Sequence, residues 1–216
     1  LGVTYKCEIE YVNQEDWETG WKKYYHPMDI GEKLAVCPSW EEYSPAGRKV
    51  LKLDPGMAFG TGTHETTYLC LEVLDKSIKG GERVLDVGTG SGILGIGAIL
   101  LGAGEVQGID IDPTAVKVAK ENAQLNGVAD KFKIIVGDLS DKATGKYDII
   151  VANIVANAVM MLSETIKNFL KEGGLYITSG IIDTRKDEVV AKLQSLGLKI
   201  LKIHEKNGWV CIEATI

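Results

Sequence analysis

Asp86, Asp110, Asp138 and Asn153 are the side chains whose types and spacing could do chemistry. Each closes a short apolar run: VLD, GID, VGD and VAN. Directly after Asp86 comes Val87-Gly88-Thr89-Gly90-Ser91-Gly92, too rich in glycine for helix or strand and therefore a tight loop. Three acids and one amide at successive strand ends form a set of hydrogen-bond acceptors. Such a set suits a ligand that carries hydroxyl, amino or ammonium groups. Singly, each has an ordinary explanation as a solvated loop residue or a helix cap, and Asp112 is read as a cap. The signal lies in their order and spacing.

The elements that must position them centre on Glu82 to Gly102. Arg83–Val87 reads as a buried strand and Ile93–Leu101 as a buried helix, with the glycine loop between them. Strand, glycine loop and helix present backbone N–H groups to a ligand. Gly90 to Gly95 formally matches the dinucleotide pattern GxGxxG, with Asp110 placed where that pattern wants an acid. Asp86 argues against a dinucleotide, because a carboxylate just before the first glycine repels a pyrophosphate. The same carboxylate suits a cationic amine. S-adenosylmethionine has an ammonium and a sulfonium and no phosphate, and it is the cofactor this stretch favours.

Composition bounds the class. The chain has 216 residues, 45% of them hydrophobic, enough for one sizeable α/β domain and a remnant of another. A net charge of −6 speaks against a broad nucleic-acid face. The four cysteines are scattered without CxxC pairing and read as reduced thiols of a cytoplasmic protein. The three histidines lie far apart, so no metal site is expected. No apolar run approaches the ~18 residues of a membrane span, and no signal peptide is visible.

Leu1–Val12 reads as a strand and Asn13–Tyr25 as a helix with Trp17, Trp21, Tyr24 and Tyr25 at helical spacing, a packing stripe. Ile30–Trp40 and Lys49–Leu53 read as strands. Asp54–Thr67, DPGMAFGTGTHETT, holds three glycines and four threonines before a helix over Thr66–Asp75. Such a loop can close over a ligand, with Thr63 as a cap and His64 as a helix-entry residue rather than a base. Strands then follow at Val106–Asp110, Phe132–Val136, Tyr147–Ala152 and Gly174–Ser179. Between them lie helices from Pro113 to Asn126 and over Asn157–Leu170. A helix capped by Asp183 runs to Leu196, and a hairpin turns around Lys206-Asn207-Gly208. The fold class is α/β: a Rossmann-like, mostly parallel seven-stranded sheet with a terminal antiparallel hairpin.

VLDVGTGSG, GIDID, VGDL and VANI resemble the successive motifs of class I methyltransferases over Glu82–Ile216. The preceding DPGMAFGTGTHETT is more particular. With DWETGWKKYYHPM and CPSWEEY it resembles the bacterial family that methylates large-subunit ribosomal protein L11, from about Asn13 onward. That family trimethylates lysine side chains and an N-terminal amine. The resemblance implies a cofactor-binding set of Phe59, Thr61, Thr67, Asp86, Gly88, Gly90, Asp110, Ile111, Asp138 and Asn153. Phe59 and Thr67 close over S-adenosylmethionine, Gly88 and Gly90 lie under it, and Asp110 binds its ribose. Asn153, the catalytic candidate, sits between methyl donor and amine. The family has a separate amino-terminal recognition domain. Residues 51–216 are then the methyltransferase domain, and residues 1–50 a linker and remnant after a recognition domain missing before Leu1. The implied partner is ribosomal protein L11, with no direct nucleic acid and no membrane, for a monomeric cytoplasmic enzyme.

Three rival readings carry different signatures. Methyltransferases of glutamine or nucleic-acid amino groups use an Asn-Pro-Pro-aromatic run, whereas Ile154-Val155-Ala156 follows Asn153 here. A nicotinamide-dependent oxidoreductase conflicts with Asp86. A non-catalytic cofactor-binding module in ribosome assembly has no use for the intact Asp86, Asp110 and Asn153 set.

Overall fold

Alternation along the strands sorts their side chains onto two faces. The computed structural model of the chain describes residues 25–54 and 64–216. In it Val84, Ile149, Val151 and Ile177 enter one core, and Leu85, Val87, Ile150 and Ala152 enter another. Successive strand residues point to opposite faces, so a strand apolar throughout needs cover on both.

Three strands come first: β1 (Met28–Ile30), β2 (Leu34–Pro38) and β3 (Lys49–Leu53). Then follow α1 (Glu65–Ser77), β4 (Arg83–Val87), α2 (Ile93–Leu101), β5 (Glu105–Asp110), α3 (Pro113–Leu125) and β6 (Phe132–Val136). The chain continues through β7 (Tyr147–Asn153), α4 (Ala156–Thr165), β8 (Leu170–Ile182) and α5 (Lys186–Ser195). It ends with β9 (Lys199–Lys206) and β10 (Trp209–Thr215). The large sheet has the order β6-β5-β4-β7-β8-β10-β9. Strands β4 to β8 are parallel, and β10 runs antiparallel to both β8 and β9. This is the expected seven-stranded sheet with its terminal hairpin. Helices α1, α2 and α3 cover one face, and α4 and α5 the other. The chain winds outward one way from β4 and the other way from β7. That switch point opens a crevice at the carboxyl ends of the two strands.

Some boundaries depart from the sequence reading. Ile30–Trp40, expected as one strand, is divided by a turn between the antiparallel strands β1 and β2. Gly31 takes φ 55 there, and Asp75 on α1 accepts from the Glu32 N–H at 2.8 Å. The turn is therefore fixed by a contact distant in sequence. Strand β3 joins β2 in parallel, and this small sheet packs on α1 and α2 through Ile30, Leu34, Leu51 and Leu53. The helix expected over Asn157–Leu170 stops at Thr165, and a 3₁₀ turn, Ile166–Asn168, follows it. Leu170 already belongs to β8, which runs for 13 residues because β7 and β10 pair with it on either side. Asp183 opens a separate 3₁₀ turn, Asp183–Arg185, and does not cap α5. Asp112 does cap α3, accepting from Thr114 N at 2.8 Å. The expected strand Leu1–Val12 and helix Asn13–Tyr25 lie outside the described residues apart from Tyr25, which is buried and edge-on to Trp40. Among the described residues, no helix is long and apolar enough to cross a membrane.

Candidate active site

The loop between β4 and α2 takes its shape from its glycines. Gly88, Gly90 and Gly92 have φ of 70, 55 and 84, a region side chains other than glycine rarely adopt. At Gly88 a Cβ would also collide with the side chain of Ile154. The N–H groups of Gly88 and Thr89 donate to the Ile109 carbonyl at 2.8 and 3.1 Å. Gly90 N–H donates to Asp110 Oδ2 at 2.8 Å. The loop is thus laced onto the end of β5.

Asp86 is placed differently from the sequence expectation. It does not face a ligand cavity but lies fully buried beneath the loop. Its Oδ2 accepts from the Thr89 hydroxyl at 2.6 Å and from Gly95 N at 3.0 Å. Gly95 lies in the first turn of α2, where N–H groups lack helical partners, so the Asp86 carboxyl group supplies the missing acceptor from below. Its Oδ1 has no partner among the described residues. Burial pushes the Asp86 pKa up to about 7, against the hydrogen bonds from Thr89 and Gly95.

Above the loop, at the switch point, lies a cavity of about 710 Å³. Of the residues the sequence singles out, Thr67, Gly88, Gly90, Asp110, Ile111, Asp138 and Asn153 line it. Phe59, Thr61 and Thr63 lie outside the described residues. Asp110 Oδ1 accepts from Asp112 N at 3.0 Å, and each of its oxygens keeps a further lone pair. Ile111 is 68% exposed and offers an apolar face beside that carboxylate. Asp138 is held by its backbone N–H, which donates to Asp141 Oδ1 at 2.9 Å.

The opposite wall is built around Asn153 at the end of β7. Its Nδ2 donates to Thr67 Oγ1 at 3.1 Å. Its Oδ1 is buried and has no partner among the described residues. Thr67 sits in the first turn of α1, whose start His64 caps by accepting from Thr66 N. The turn of the β9–β10 hairpin clamps the same helix end. Asn207 donates to Glu65 at 3.0 Å, Lys206 lies 3.4 Å over the Tyr68 ring, and Trp209 meets the His64 ring edge-on at 4.6 Å.

Trp209, Ile154, Gly180 and Arg185 also line the cavity, and the sequence reading did not single them out. Gly180 had a legible signal, a glycine inside an apolar strand; a Cβ there would strike the Ile154 carbonyl. Trp209 had none. It opens an antiparallel strand, so its first residue arrives at the edge where the parallel strands end.

The cavity combines acceptors for hydroxyl and amino groups with apolar faces for a flat ring. Among the described residues no lysine lines it, and Arg185 is engaged by Glu188 at 2.7 and 2.9 Å. That suits a cationic nucleoside such as S-adenosylmethionine better than a pyrophosphate. Among the described residues, no three His, Cys, Asp or Glu side chains gather to hold a metal.

A family model described as "Ribosomal protein L11 methyltransferase (PrmA)" matches residues 2–216. The ribosomal protein L11 methyltransferase of Desulforamulus reducens is 52% identical over 204 residues, 94% of this chain and 66% of that protein. That of Clostridium perfringens strain SM101 is 48% identical over 210 residues, 97% of this chain and 67% of that protein. The chain therefore spans about two thirds of the length of these curated relatives. The crystal structure of ribosomal protein L11 methylase from Lactobacillus delbrueckii subsp. bulgaricus superposes with a TM-score of 0.83 at 34% identity. The match covers 88% of this chain and 98% of that one.

Proposed function

The chain belongs to the ribosomal protein L11 methyltransferase family, and from that premise we propose that it methylates amines of ribosomal protein L11 with S-adenosylmethionine as donor. The amines of the proposal are lysine side chains and the N-terminal α-amine. The observation that carries it is the Asn153 amide oxygen, buried in the cavity wall without a partner among the described residues. A buried acceptor left open costs about 1–3 kcal/mol unless something fills it. An amine N–H fills it.

When bound, the donor supplies a methyl group on a sulfonium, a carbon open to in-line attack. The work left to the protein is orientation and a fitted electrostatic site. In this proposal Asp110 holds the ribose hydroxyls, Asp138 takes the adenine amino group, and Ile111 covers the ring. Asn153 accepts an amine N–H and thereby aims the nitrogen lone pair. A lysine of ordinary pKa near ~10.4 costs about 4–5 kcal/mol to hold neutral at pH 7. The apolar cavity wall at Trp209 and Ile154 lowers that cost by disfavouring the ammonium. No side chain need serve as a dedicated base if water takes the proton. Residues 51–216 then form the transfer domain. The small sheet of β1 to β3 packs on that domain's α1 and α2, and the residues before it connect to a recognition part, which the greater length of the relatives accommodates. The setting is the cytoplasm, and the protein acts as a monomer on its protein substrate directly.

The test joins the chain to a recognition part like that of its longer relatives, incubates it with ribosomal protein L11 and S-adenosylmethionine and maps methyl groups by mass spectrometry. Methyl increments on lysines and the N-terminus are expected. Methylation of glutamine or RNA instead, or no transfer by a chain that binds the donor, overturns the proposal.

A further inference from the structure

Asn122 on α3 is 2% exposed, and its amide is fully used. Its two N–H groups donate to the Asp54 carbonyl at 3.0 Å and to the Ser91 carbonyl at 2.9 Å. Its oxygen accepts from Asp54 N at 3.0 Å. One side chain thus joins α3, the end of the small sheet and the glycine loop. One helical turn on, Asn126 makes the same kind of bidentate contact with Lys52, at 2.7 and 2.8 Å. The two amides stand in for a neighbouring strand along the open edge of β3. They differ in one respect: Asn122 reaches the glycine loop, and Asn126 does not.

The loop needs such a hold. Three of its residues have left-handed backbones, and glycine has the most conformational freedom to lose on ordering. Asp110 fixes the loop at Gly90 from the β5 side, and Asp86 fixes α2 from below. Asn122 fixes Ser91 from the side of α3. We propose that Asn122 is a positioning residue that pre-organises loop 88–92 for the methyl donor without touching it. This rests on reading the cavity as the donor site.

The test compares Asn122→Ala, Asn122→Ser and Asn126→Ala in the full chain, below their melting temperatures. Hydrogen exchange in the free protein should show Gly90 and Gly92 losing protection by roughly tenfold in both Asn122 variants and keeping it in Asn126→Ala. S-adenosylhomocysteine should bind about tenfold more weakly to both Asn122 variants and within about twofold of normal to Asn126→Ala. The transfer rate at saturating donor should stay unchanged in all three. Equal losses in the Asn122 and Asn126 variants would make Asn122 a packing residue and overturn the proposal, as would no loss in any. A wild-type chain that fails to bind S-adenosylhomocysteine overturns the donor-site reading and this proposal together. A wild-type chain that binds, with every variant binding equally, overturns this proposal alone.

Discussion

Replacing Asn153 by alanine removes two groups of opposite energetic sign. The Nδ2–Thr67 hydrogen bond at 3.1 Å contributes about 1 kcal/mol to folding. The Oδ1, a buried acceptor without a partner among the described residues, costs the folded protein about 1–3 kcal/mol. Asn153→Ala should therefore leave stability within ~1–2 kcal/mol of wild type, and on the stabilising side. Transfer should respond otherwise. Loss of one pre-organised contact at the reacting centre costs about 3–4 kcal/mol in the transition state, a rate loss of ~100-fold or more. Affinity for S-adenosylhomocysteine should change little, because Asp110 and the glycine loop are intact. The assay is single-turnover methyl transfer at saturating donor, paired with urea unfolding and calorimetric titration. Asn153→Asp should also impair transfer, because a carboxylate favours the ammonium form of the amine. If Asn153→Ala transfers at the wild-type rate, or unfolds more easily by over ~2 kcal/mol, the residue serves as a structural tie to Thr67 and the amine-orienting role is wrong.

Three further perturbations probe the same site. Asp86 holds a proton in the folded state that the unfolded chain loses from about pH 4, so between there and its raised value of about 7 stability should fall as pH rises. Asp86→Asn should flatten that slope in urea titrations at pH 5 and pH 8, and an unchanged slope would show that other groups cause it. Asp110→Ala should weaken S-adenosylhomocysteine by on the order of 1.5–3 kcal/mol in calorimetry, and unchanged affinity would remove Asp110 from the site. Gly88→Ala should destabilise by ~1–3 kcal/mol through its positive φ and its collision with Ile154. The double variant with Ile154→Ala should recover the collision part alone, and strict additivity in that cycle would dismiss the contact.

Most of the sheet was legible because its signals are local. Apolar runs such as YDIIVA demand burial on both faces, and βα alternation demands parallel strands wound right-handedly. The Asn207-Gly208 turn was legible because both residues accept a positive φ, 49 and 80 here. The polar strand ends Asp110, Asp138 and Asn153 were legible for the same reason, since strand direction alone sends them to one edge. What failed was each judgement that depended on a distant partner. The break after Ile30 hangs on Asp75, and the length of β8 hangs on β10.

Residue type and spacing by themselves determined the layer architecture, the glycine loop and the line of acceptors along the crevice. These follow from φ preferences and from the two- and 3.6-residue periods, which act along the chain. Tertiary structure alone decided where the side chains aim. It turned Asp86 under the loop to the end of α2, because the Gly95 N–H and the Thr89 hydroxyl there replace the donors that water would otherwise supply. It brought Trp209 against His64 by pairing β10 antiparallel to β8, a choice that no residue near Trp209 encodes. It joined Asn122 to Ser91 and Asp54, groups 31 and 68 residues away. Hydrogen-bond geometry is satisfied in space and over a few ångströms, so partners that far apart in sequence are fixed only when the whole sheet is assembled.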